Sequence, residues 1–354
     1  MPVIQGQDIH DLVLGTLKRM DKLKFRQIAT KINQYQMLPH WFKKNRMTFE
    51  SGVSIRKHIM VRTNNAAKHV GLYEPDAINT GDVMDYMQVN WVHATTNWVY
   101  DERELLMNRG YERIFNILQP LRLGAMIDMA NILEEGAWRL PDPGDRKMPF
   151  GIPYWITPNK ERGFNGMNPE GYADKGGLDA RKYTGWRNWT DSYKNFSRAD
   201  LITKMRSAYR NTQWKAPVTV PGLQETRSDY TIYTNENTLA ELEKLGENQN
   251  ENLGRDLAGY MDTISFKGAP IRYVRIMDDR KDNPIYMINH GAFSPFVHRD
   301  MYLRETKPSN NNLGHNVFAI HVDLSYNFLC VDPKTCSLLI QDAVGCDDEA
   351  DCGN

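Results

Sequence analysis

All four cysteines of the chain lie close to its C-terminal end, so thiol chemistry is confined to one region. They are Cys330, Cys336, Cys346 and Cys352, separated by five, nine and five residues. Paired cysteines of zinc sites usually have two to four residues between them, so this spacing argues against a metal centre. Two interpretations remain open: free thiols, as expected in a reducing cytosol, or a disulfide within or between chains that forms after release from it.

Histidines and aspartates supply the other candidate metal ligands. His290 could act with His298, and His315 with His321, but neither pair has a carboxylate partner at helical spacing. Three aspartates resemble part of a calcium-binding loop but lack its glycine and its terminal glutamate; they are Asp278, Asp279 and Asp282. The sequence has no phosphate-binding glycine loop, nucleophile elbow or H-E-x-x-H motif. We therefore predict no catalytic residue, metal ligand or cofactor.

Charge is distributed unevenly, although 44 Lys plus Arg residues balance 44 Asp plus Glu residues overall. Residues 1–70 carry thirteen basic and four acidic residues, whereas residues 342–351 carry five acidic residues and no basic one. A basic start and an acidic end could face different neighbours, such as nucleic acid and solvent, and two solvated termini are the alternative. The basic residues that we consider for contact with nucleic acid are Lys18, Arg19, Lys22, Lys24 and Arg26.

The composition indicates a folded protein. With 354 residues, 41% of them hydrophobic and 10% aromatic, the chain can bury a full core and should divide into two lobes. No run of ~18 apolar residues occurs, and no apolar stretch follows the first residue, so we expect neither membrane insertion nor secretion.

The first hundred or so residues favour two elongated elements. Apolar residues at three- and four-residue spacing predict a helix over 8–38 that ends at or before Pro39. Two β-rich runs, 53–61 and 83–99, flank a polar, turn-prone segment, and this arrangement predicts a long two-stranded hairpin. Because a two-stranded ribbon is marginal alone in water, something else should hold the hairpin.

The longest helical pattern covers residues 101–138. Pro120 lies inside it and should kink or divide the helix near Gln119. The apolar stripe that defines the pattern consists of Leu106, Ile114, Leu118, Leu121, Ala125, Met129 and Ile132.

The remainder mixes helices and strands, which gives the class α+β. Residues 139–196 are irregular apart from a short strand at 152–156, and a helix follows at 198–209, capped by Ser197 with Asp200 three residues on. The last third alternates elements. It contains a strand at 229–234, a capped helix at 238–245 ended by Gly246, a bent pair of strands at 271–277 and 285–288, and a long strand at 317–329.

This order of helices and strands, together with three short sequence segments, resembles that of the major capsid proteins of tailed bacteriophages with the Hong Kong 97-type fold. The segments are Tyr-Thr-Ile-Tyr-Thr-Asn-Glu-Asn-Thr-Leu-Ala-Glu-Leu from Tyr230, Gly-Ala-Pro-Ile-Arg-Tyr-Val from Gly268, and Pro-Ile-Tyr-Met-Ile-Asn from Pro284. The resemblance runs over nearly the whole chain but contains no diagnostic motif.

The resemblance implies a division into structural parts. Residues 1–48 would be an N-terminal arm and 49–98 an extended loop that overlaps the adjacent subunit. Residues 99–197 and 278–354 would form a peripheral domain around a spine helix at 101–138, and residues 198–277 an axial domain that meets its copies at the five-fold and six-fold centres. The chain would then be a shell subunit of the icosahedral head, with the basic arm facing packaged DNA.

The implied partners are hexamers and pentamers of the chain itself, double-stranded DNA, a portal and a decoration protein. Because only about forty residues precede the hairpin, we also expect a separate scaffolding protein. The subunit would assemble in the host cytoplasm and reside in the virion. Alternatives are an encapsulin-like nanocompartment shell of the same fold, a phage tail or decoration protein, and a carbohydrate- or nucleic-acid-active enzyme built on the aromatic-rich segment from Trp155 to Trp189.

Overall fold

The computed structural model describes most of the chain in nine stretches. They are residues 35–42, 47–49, 52–65, 67–72, 83–107, 111–213, 228–247, 265–310 and 316–342. The predicted helix at 8–38 lies outside the described residues except at its end. There residues 35–37 are not helical, and Pro39 stands in the first turn of a short helix, α1 (Leu38–His40), rather than beyond a helix end.

Two sheets and a separate hairpin contain the strands of the described residues. Those of the first half are β1 (Met47–Phe49), β2 (Ser54–Met60), β3 (Met84–Asn90), β4 (Val92–Asp101) and β5 (Trp189–Tyr193). Those of the second half are β6 (Tyr230–Thr234), β7 (Ser265–Phe266), β8 (Ala269–Tyr273), β9 (Ile285–Asn289), β10 (Phe293–His298), β11 (Arg304–Glu305), β12 (Val317–Cys330) and β13 (Ser337–Gln341). The longer helices are α2 (Glu102–Met107), α3 (Tyr111–Trp138), α4 (Ile152–Trp155), α5 (Thr203–Thr212) and α6 (Glu236–Glu247).

The five-stranded sheet is organised around β12, the long strand that the alternating pattern predicts. Its neighbours are β10, β11 and β4, and β1 adds in parallel to the outer side of β10. Strands β4 and β12 run antiparallel from the pair Val317–Asp101 to the pair Tyr326–Val92. Along the second half of β12 both faces are buried, so its polar residues there, such as Asn327, are part of the interior.

The hairpin is shorter than the sequence predicts. Strands β2 and β3 pair as expected, but the run at 83–99 ends its hairpin pairing at Asn90, and β4 joins the five-stranded sheet instead. Trp98 and Tyr100 on β4 pack into a core with Leu118 of α3. A continuous β-rich run does not reveal where a strand changes partner, because both halves have the same local pattern.

The long helix α3 ends at Trp138 as predicted, but it differs from the prediction in its start and in its buried face. A separate helix, α2, precedes it, and α3 continues through Pro120 instead of dividing near Gln119. Among the side chains described in α3, the buried apolar ones are Leu118, Ala125, Met129, Leu133, Ala137 and Trp138, and Glu134 is buried beside them. Two members of the predicted stripe, Leu121 and Ile132, are 40% and 47% exposed, so the stripe is rotated relative to the prediction.

The six-stranded sheet has the order β5-β13-β9-β6-β8-β7. The predicted bent pair at 271–277 and 285–288 is wrong, because β8 and β9 lie on opposite sides of β6 and do not pair with each other. The resemblance assigns residues 99–197 and 278–354 to the domain of the long helix, whereas β5, β9 and β13 from these ranges lie in this second sheet. The predicted boundary between residues 277 and 278 therefore does not separate the two sheets.

The irregular segment after α3 contains a short helix where a strand was predicted. Residues 152–155 form α4, since Pro153 suits the first turn of a helix and Gly151 precedes it in an extended conformation; Ile156 is extended again. Tyr154 and Trp155 of this helix are fully buried. The segment thus contributes large aromatic side chains to the main core.

Two helices begin directly after a residue whose side chain caps them by a hydrogen bond. The Ser197 hydroxyl accepts a hydrogen bond from the Asp200 amide at 3.2 Å, as predicted, although the first turn is a π-helix that leads into α5. Helix α6 begins at Glu236, two residues earlier than expected, because Asn235 provides the cap and accepts from the Thr238 amide at 3.1 Å. Gly246 lies inside the last turn of α6 rather than beyond it.

Candidate assembly surface

The hairpin has a buried base and an exposed end. Seven residue pairs join β2 and β3, from Ser54–Asn90 to Met60–Met84. At the base, Ile55, Met87 and Val89 are buried, and the Gln88 amide donates to the Gly176 carbonyl at 2.9 Å. The base is therefore fixed to the body of the subunit.

Apolar side chains at the other end of the hairpin face solvent within one chain. Met60 and Met84, which pair directly, are 56% and 51% exposed, and Val70 and Leu72 in the connecting segment are 54% and 93% exposed. Met60 and Met84 are direct cross-strand neighbours and so form contiguous exposed apolar surface, which in a soluble protein usually marks an interaction site. The end of the hairpin is thus suited to packing against another protein surface, and we call Met60, Val70, Leu72 and Met84 the hairpin patch.

Polar contacts hold the side of the hairpin to the irregular segment. The Tyr183 hydroxyl donates to the Asp85 carboxylate at 2.9 Å, and the Arg62 guanidinium lies 5.6 Å from the centre of the Tyr183 ring. Arg56 lies 5.7 Å from the ring of Tyr86 on the neighbouring strand. These contacts fix the direction in which the hairpin patch is presented.

Glu134 of α3 anchors the segment that contains α1. Its carboxylate accepts hydrogen bonds from three successive backbone amides, those of Gln36, Met37 and Leu38, at 3.1–3.2 Å. The Trp138 indole also donates to it at 3.2 Å. Burial raises the pKa of Glu134, and these donors act against that shift. No sequence pattern predicts this anchor, because the partners are nearly one hundred residues apart.

A second buried network joins α1 to the end of β9. The Trp41 indole donates to Nδ1 of His290 at 2.9 Å, and Nε2 of His290 lies 2.9 Å from the Tyr233 hydroxyl. Since an indole N–H can only donate, Nδ1 must be unprotonated and Nε2 carries the hydrogen. The His40 ring packs against His290 with 3.9 Å between ring centres and a tilt of 41° between the planes, and Nε2 of His40 lies 3.7 Å from the Asp229 carboxylate. His290 is thus a buried, neutral, structural histidine.

Acidification should destabilise the subunit in part through His290. Burial, with His40 and Arg272 nearby, lowers the pKa of His290 well below its usual value. The unfolded chain therefore binds this proton at higher pH than the folded chain, and the free energy of unfolding falls as the pH drops below about 6.5, by at most about 1.4 kcal/mol per pH unit for one proton. His290→Gln should flatten this slope in urea unfolding between about pH 7 and pH 5.

The control for this experiment is His58→Gln, at an exposed position of the hairpin. It should keep the slope of the unsubstituted protein. Equal slopes in the unsubstituted chain and in His290→Gln would contradict the assignment.

The structure brings together few of the residues that the sequence analysis considered as DNA contacts, metal ligands or reactive thiols. Lys18, Arg19, Lys22, Lys24 and Arg26 lie outside the described residues, as do His315, Cys346 and Cys352. Cys330 and Cys336 are buried and free. Asp278 accepts from the Glu236 amide and from the Tyr273 hydroxyl, and Asp282 pairs with Arg280 at 2.5 Å. Within the described ranges, no three His, Cys, Asp or Glu side chains come together as a possible metal site.

The aromatic-rich segment does not present a binding platform. Trp155, Trp186 and Trp189 are at most 7% exposed, so their rings serve the core and cannot stack on a sugar or a base. A cleft of about 370 Å³ lies between β3 and the irregular segment, with the carboxylates of Asp85 and Asp174 in its wall. Both already accept hydrogen bonds, Asp85 from Tyr183 and Asp174 from the Gly177 amide.

In the part of the chain that the structure describes, no helix is both long and apolar enough to span a membrane.

The sequence matches no protein-family model and no curated protein. Solved structures do match. The capsid asymmetric unit of cyanophage A-1(L) has a TM-score of 0.59 at 12% identity and covers 92% of this chain and 99% of its own. The capsid of an empty GTA particle has a TM-score of 0.56 at 11% identity, with 90% and 100% covered. A structure from Microbacterium phage Oxtober96 has a TM-score of 0.52 at 9% identity, with 92% and 98% covered.

These similarities extend over nearly the full length of both chains in each comparison, so they concern the whole fold and not a shared fragment. The mixed helix and sheet class that the sequence predicts is confirmed. The chain has the fold of phage capsid proteins, as the resemblance in its sequence implies.

Proposed function

We propose that this chain is the structural subunit that self-assembles into the icosahedral head shell of a tailed bacteriophage and encloses its genome. The similarity to a capsid asymmetric unit over 92% of this chain carries the proposal. The hairpin patch supports it, because a projecting apolar surface is what a subunit needs to hold an adjacent copy. The proposed role is structural, and it depends on the contacts between subunits.

Each part of the fold then has a place in the shell. The hairpin β2–β3 is the extended loop, with its end at Asn90 rather than at residue 98. The five-stranded sheet and α3 form the peripheral domain, with α3 as the spine helix. The six-stranded sheet with α5 and α6 forms the axial domain, which meets its copies at the five-fold and six-fold centres.

Other partners belong to the same proposal. The subunit forms hexamers and pentamers with its own copies, and the basic residues of the arm at 1–48 face packaged double-stranded DNA. A separate scaffolding protein guides assembly in the host cytoplasm, a portal occupies one vertex, and a decoration protein binds outside. The assembled protein resides in the virion.

Negative-stain electron microscopy of the purified chain tests the proposal directly. We expect closed shells tens of nanometres across when the chain is expressed alone or with a neighbouring scaffolding gene. A shell presents its hairpin patches to adjacent copies, so the same preparation should contain little free subunit. Only small, monodisperse particles in both preparations would contradict a shell function.

The contents of the shells separate the phage proposal from a nanocompartment. Particles taken from an infected or induced host should protect double-stranded DNA against nuclease. Shells that enclose a single enzyme and no DNA would favour the nanocompartment, which differs in cargo and not in subunit fold.

A further inference from the structure

Two helices cover the face of the six-stranded sheet that points away from the main core. Side chains of α5 and α6 form one hydrophobic cluster with alternate residues of the strands, such as Ile285 and Met287 of β9. The residue between them, Tyr286, belongs to the larger cluster on the other face. Helix α5 contacts β5 and β13, whereas α6 contacts β8, which lies further along the order of strands. Both helices therefore present their outer sides to the surface of the subunit.

Helix α5 and the π-helical turn before it carry positive charge that lacks a counter-charge. Lys204 forms an ion pair with Asp200 at 2.5 Å. The other basic residues are exposed and form no ion pair in the described part of the chain. They are Arg198, Arg206 and Arg210, which we call the arginine face. Arg206 and Arg210 are four residues apart on one helix, and like charges at this spacing destabilise the helix.

Helix α6 carries the opposite charge. Lys244 pairs with Glu241 at 2.6 Å. Glu236 and Glu243 are exposed, and neither forms an ion pair within the residues that the structure describes. Seven residues are close to two full turns of a helix, so these two glutamates lie on the same side of α6, and we call them the glutamate face.

Within one chain the charges of each face repel one another, and no ion pair among these described side chains joins the two helices. A second copy of the chain can supply the counter-charge, because the arginine face of one copy is complementary to the glutamate face of another. Such a contact joins two different surfaces. Repeated contacts of this head-to-tail kind close into a ring when the rotation between neighbouring copies allows it.

We propose that the arginine face on α5 of one copy binds the glutamate face on α6 of the next copy, so that the chain forms pentameric and hexameric rings. The inference rests on the proposed function and deepens it, because it names the surfaces through which the axial domains meet. The contact is electrostatic. It therefore weakens as salt screens the charges, and it selects one order of copies around the ring.

Charge reversal tests each face separately. Arg206→Glu with Arg210→Glu reverses the arginine face, and Glu236→Lys with Glu243→Lys reverses the glutamate face. Copies of either variant then repel one another, and we expect the concentration needed for shell assembly at low ionic strength to rise roughly 10-fold or more. Circular dichroism confirms that each subunit is folded. The matched control is Arg206→Lys with Arg210→Lys, which keeps the charge and should assemble like the unsubstituted chain.

Mixing the two reversed variants separates a contact between copies from a contact within one chain. In a ring that alternates the two variants, every contact again joins opposite charges, so assembly should return in the mixture. A pentameric ring cannot alternate, so electron microscopy should show hexameric rings and open sheets but no closed shells. A single chain with all four substitutions restores every contact and should form closed shells.

Three outcomes would overturn the contact and leave the proposed function standing. One is a reversed variant that forms shells at the same concentration as the unsubstituted chain. Another is recovery with all four substitutions but not in the mixture, which would place the contact within one chain. The third is folded subunits that stay unassembled in both preparations, because each face would then bind a different partner. An unsubstituted chain that forms no shells would instead contradict the proposed function and this contact together.

Discussion

Replacing Met60 by Lys together with Met84 by Asp is expected to abolish shell assembly while the subunit stays folded. The two methionines pair directly at the end of the hairpin and are each about half exposed. Fully withdrawing a methionine side chain from water stabilises a contact by roughly 1.5–3 kcal/mol, so the exposed half of each side chain contributes about 0.8–1.5 kcal/mol. Losing both should therefore raise the concentration needed for assembly roughly 10- to 100-fold, at about 1.4 kcal/mol for each factor of ten.

The opposite charges in this variant are chosen to spare the hairpin itself. A lysine directly across from an aspartate is a favourable cross-strand pair, so β2 and β3 should still form. The base of the hairpin is unaffected, because Ile55, Met87 and Val89 are buried there. Sedimentation velocity and electron microscopy measure assembly, and circular dichroism confirms that the subunit is folded.

The matched control keeps the patch apolar. Met60→Leu with Met84→Leu changes the same two positions and should assemble like the unsubstituted chain, since leucine and methionine have similar volume and apolar character. Normal shells from the charged variant would show that the hairpin patch does not contact an adjacent subunit. Failure of the leucine control would point to a requirement for the methionine shape rather than for apolar contact.

Local patterns predicted those elements whose signals lie within one segment. Alternation identified β12 to within one residue at its C-terminal end, and Ser197 identified the start of the helical turn before α5. In both cases the information is carried by neighbours in sequence: side chains that alternate between two faces, and a hydroxyl three residues from the amide that it accepts from. Resemblance supplied the overall fold, which no local pattern could give.

Contacts between residues that are distant in sequence could not be predicted from local patterns. Nothing near Glu134 shows that it accepts from the amides of residues 36–38, and Trp41 and His290 are 249 residues apart. The same limit applies to residues 278–354, which the resemblance assigns to one domain although their strands divide between the two sheets, because a strand pattern does not identify its neighbour. The burial of Lys175 was missed too, since it lies in an irregular, polar segment where a charged residue is expected to be exposed.

Gly151→Ala should destabilise the subunit by about 3 kcal/mol, the upper end of the usual cost of overpacking. A Cβ at this position would lie 2.6–2.7 Å from the backbone carbonyl oxygens of Gly136, Ala137 and Arg139, at the end of α3. Backbone atoms cannot move aside as a flexible side chain can, so the helix end or the segment that leads into α4 must shift. The backbone of Gly151 has φ −69° and ψ −175°, which alanine adopts without strain. The loss of stability therefore reports the steric contact of the added Cβ and not the conformational freedom of glycine.

Gly124, in the middle of the same helix, is the matched control. A Cβ there would meet nothing within 4 Å, so Gly124→Ala adds only a better helix former and should stabilise by about 0.5–1 kcal/mol. Urea unfolding of the unassembled subunit gives both values. Opposite signs for the same chemical change, one within α3 and one at the residue that contacts its C-terminal end, would show that α3 is held by backbone contact with the segment before α4. A Gly151→Ala variant as stable as the unsubstituted chain would mean that this contact is looser than the structure shows.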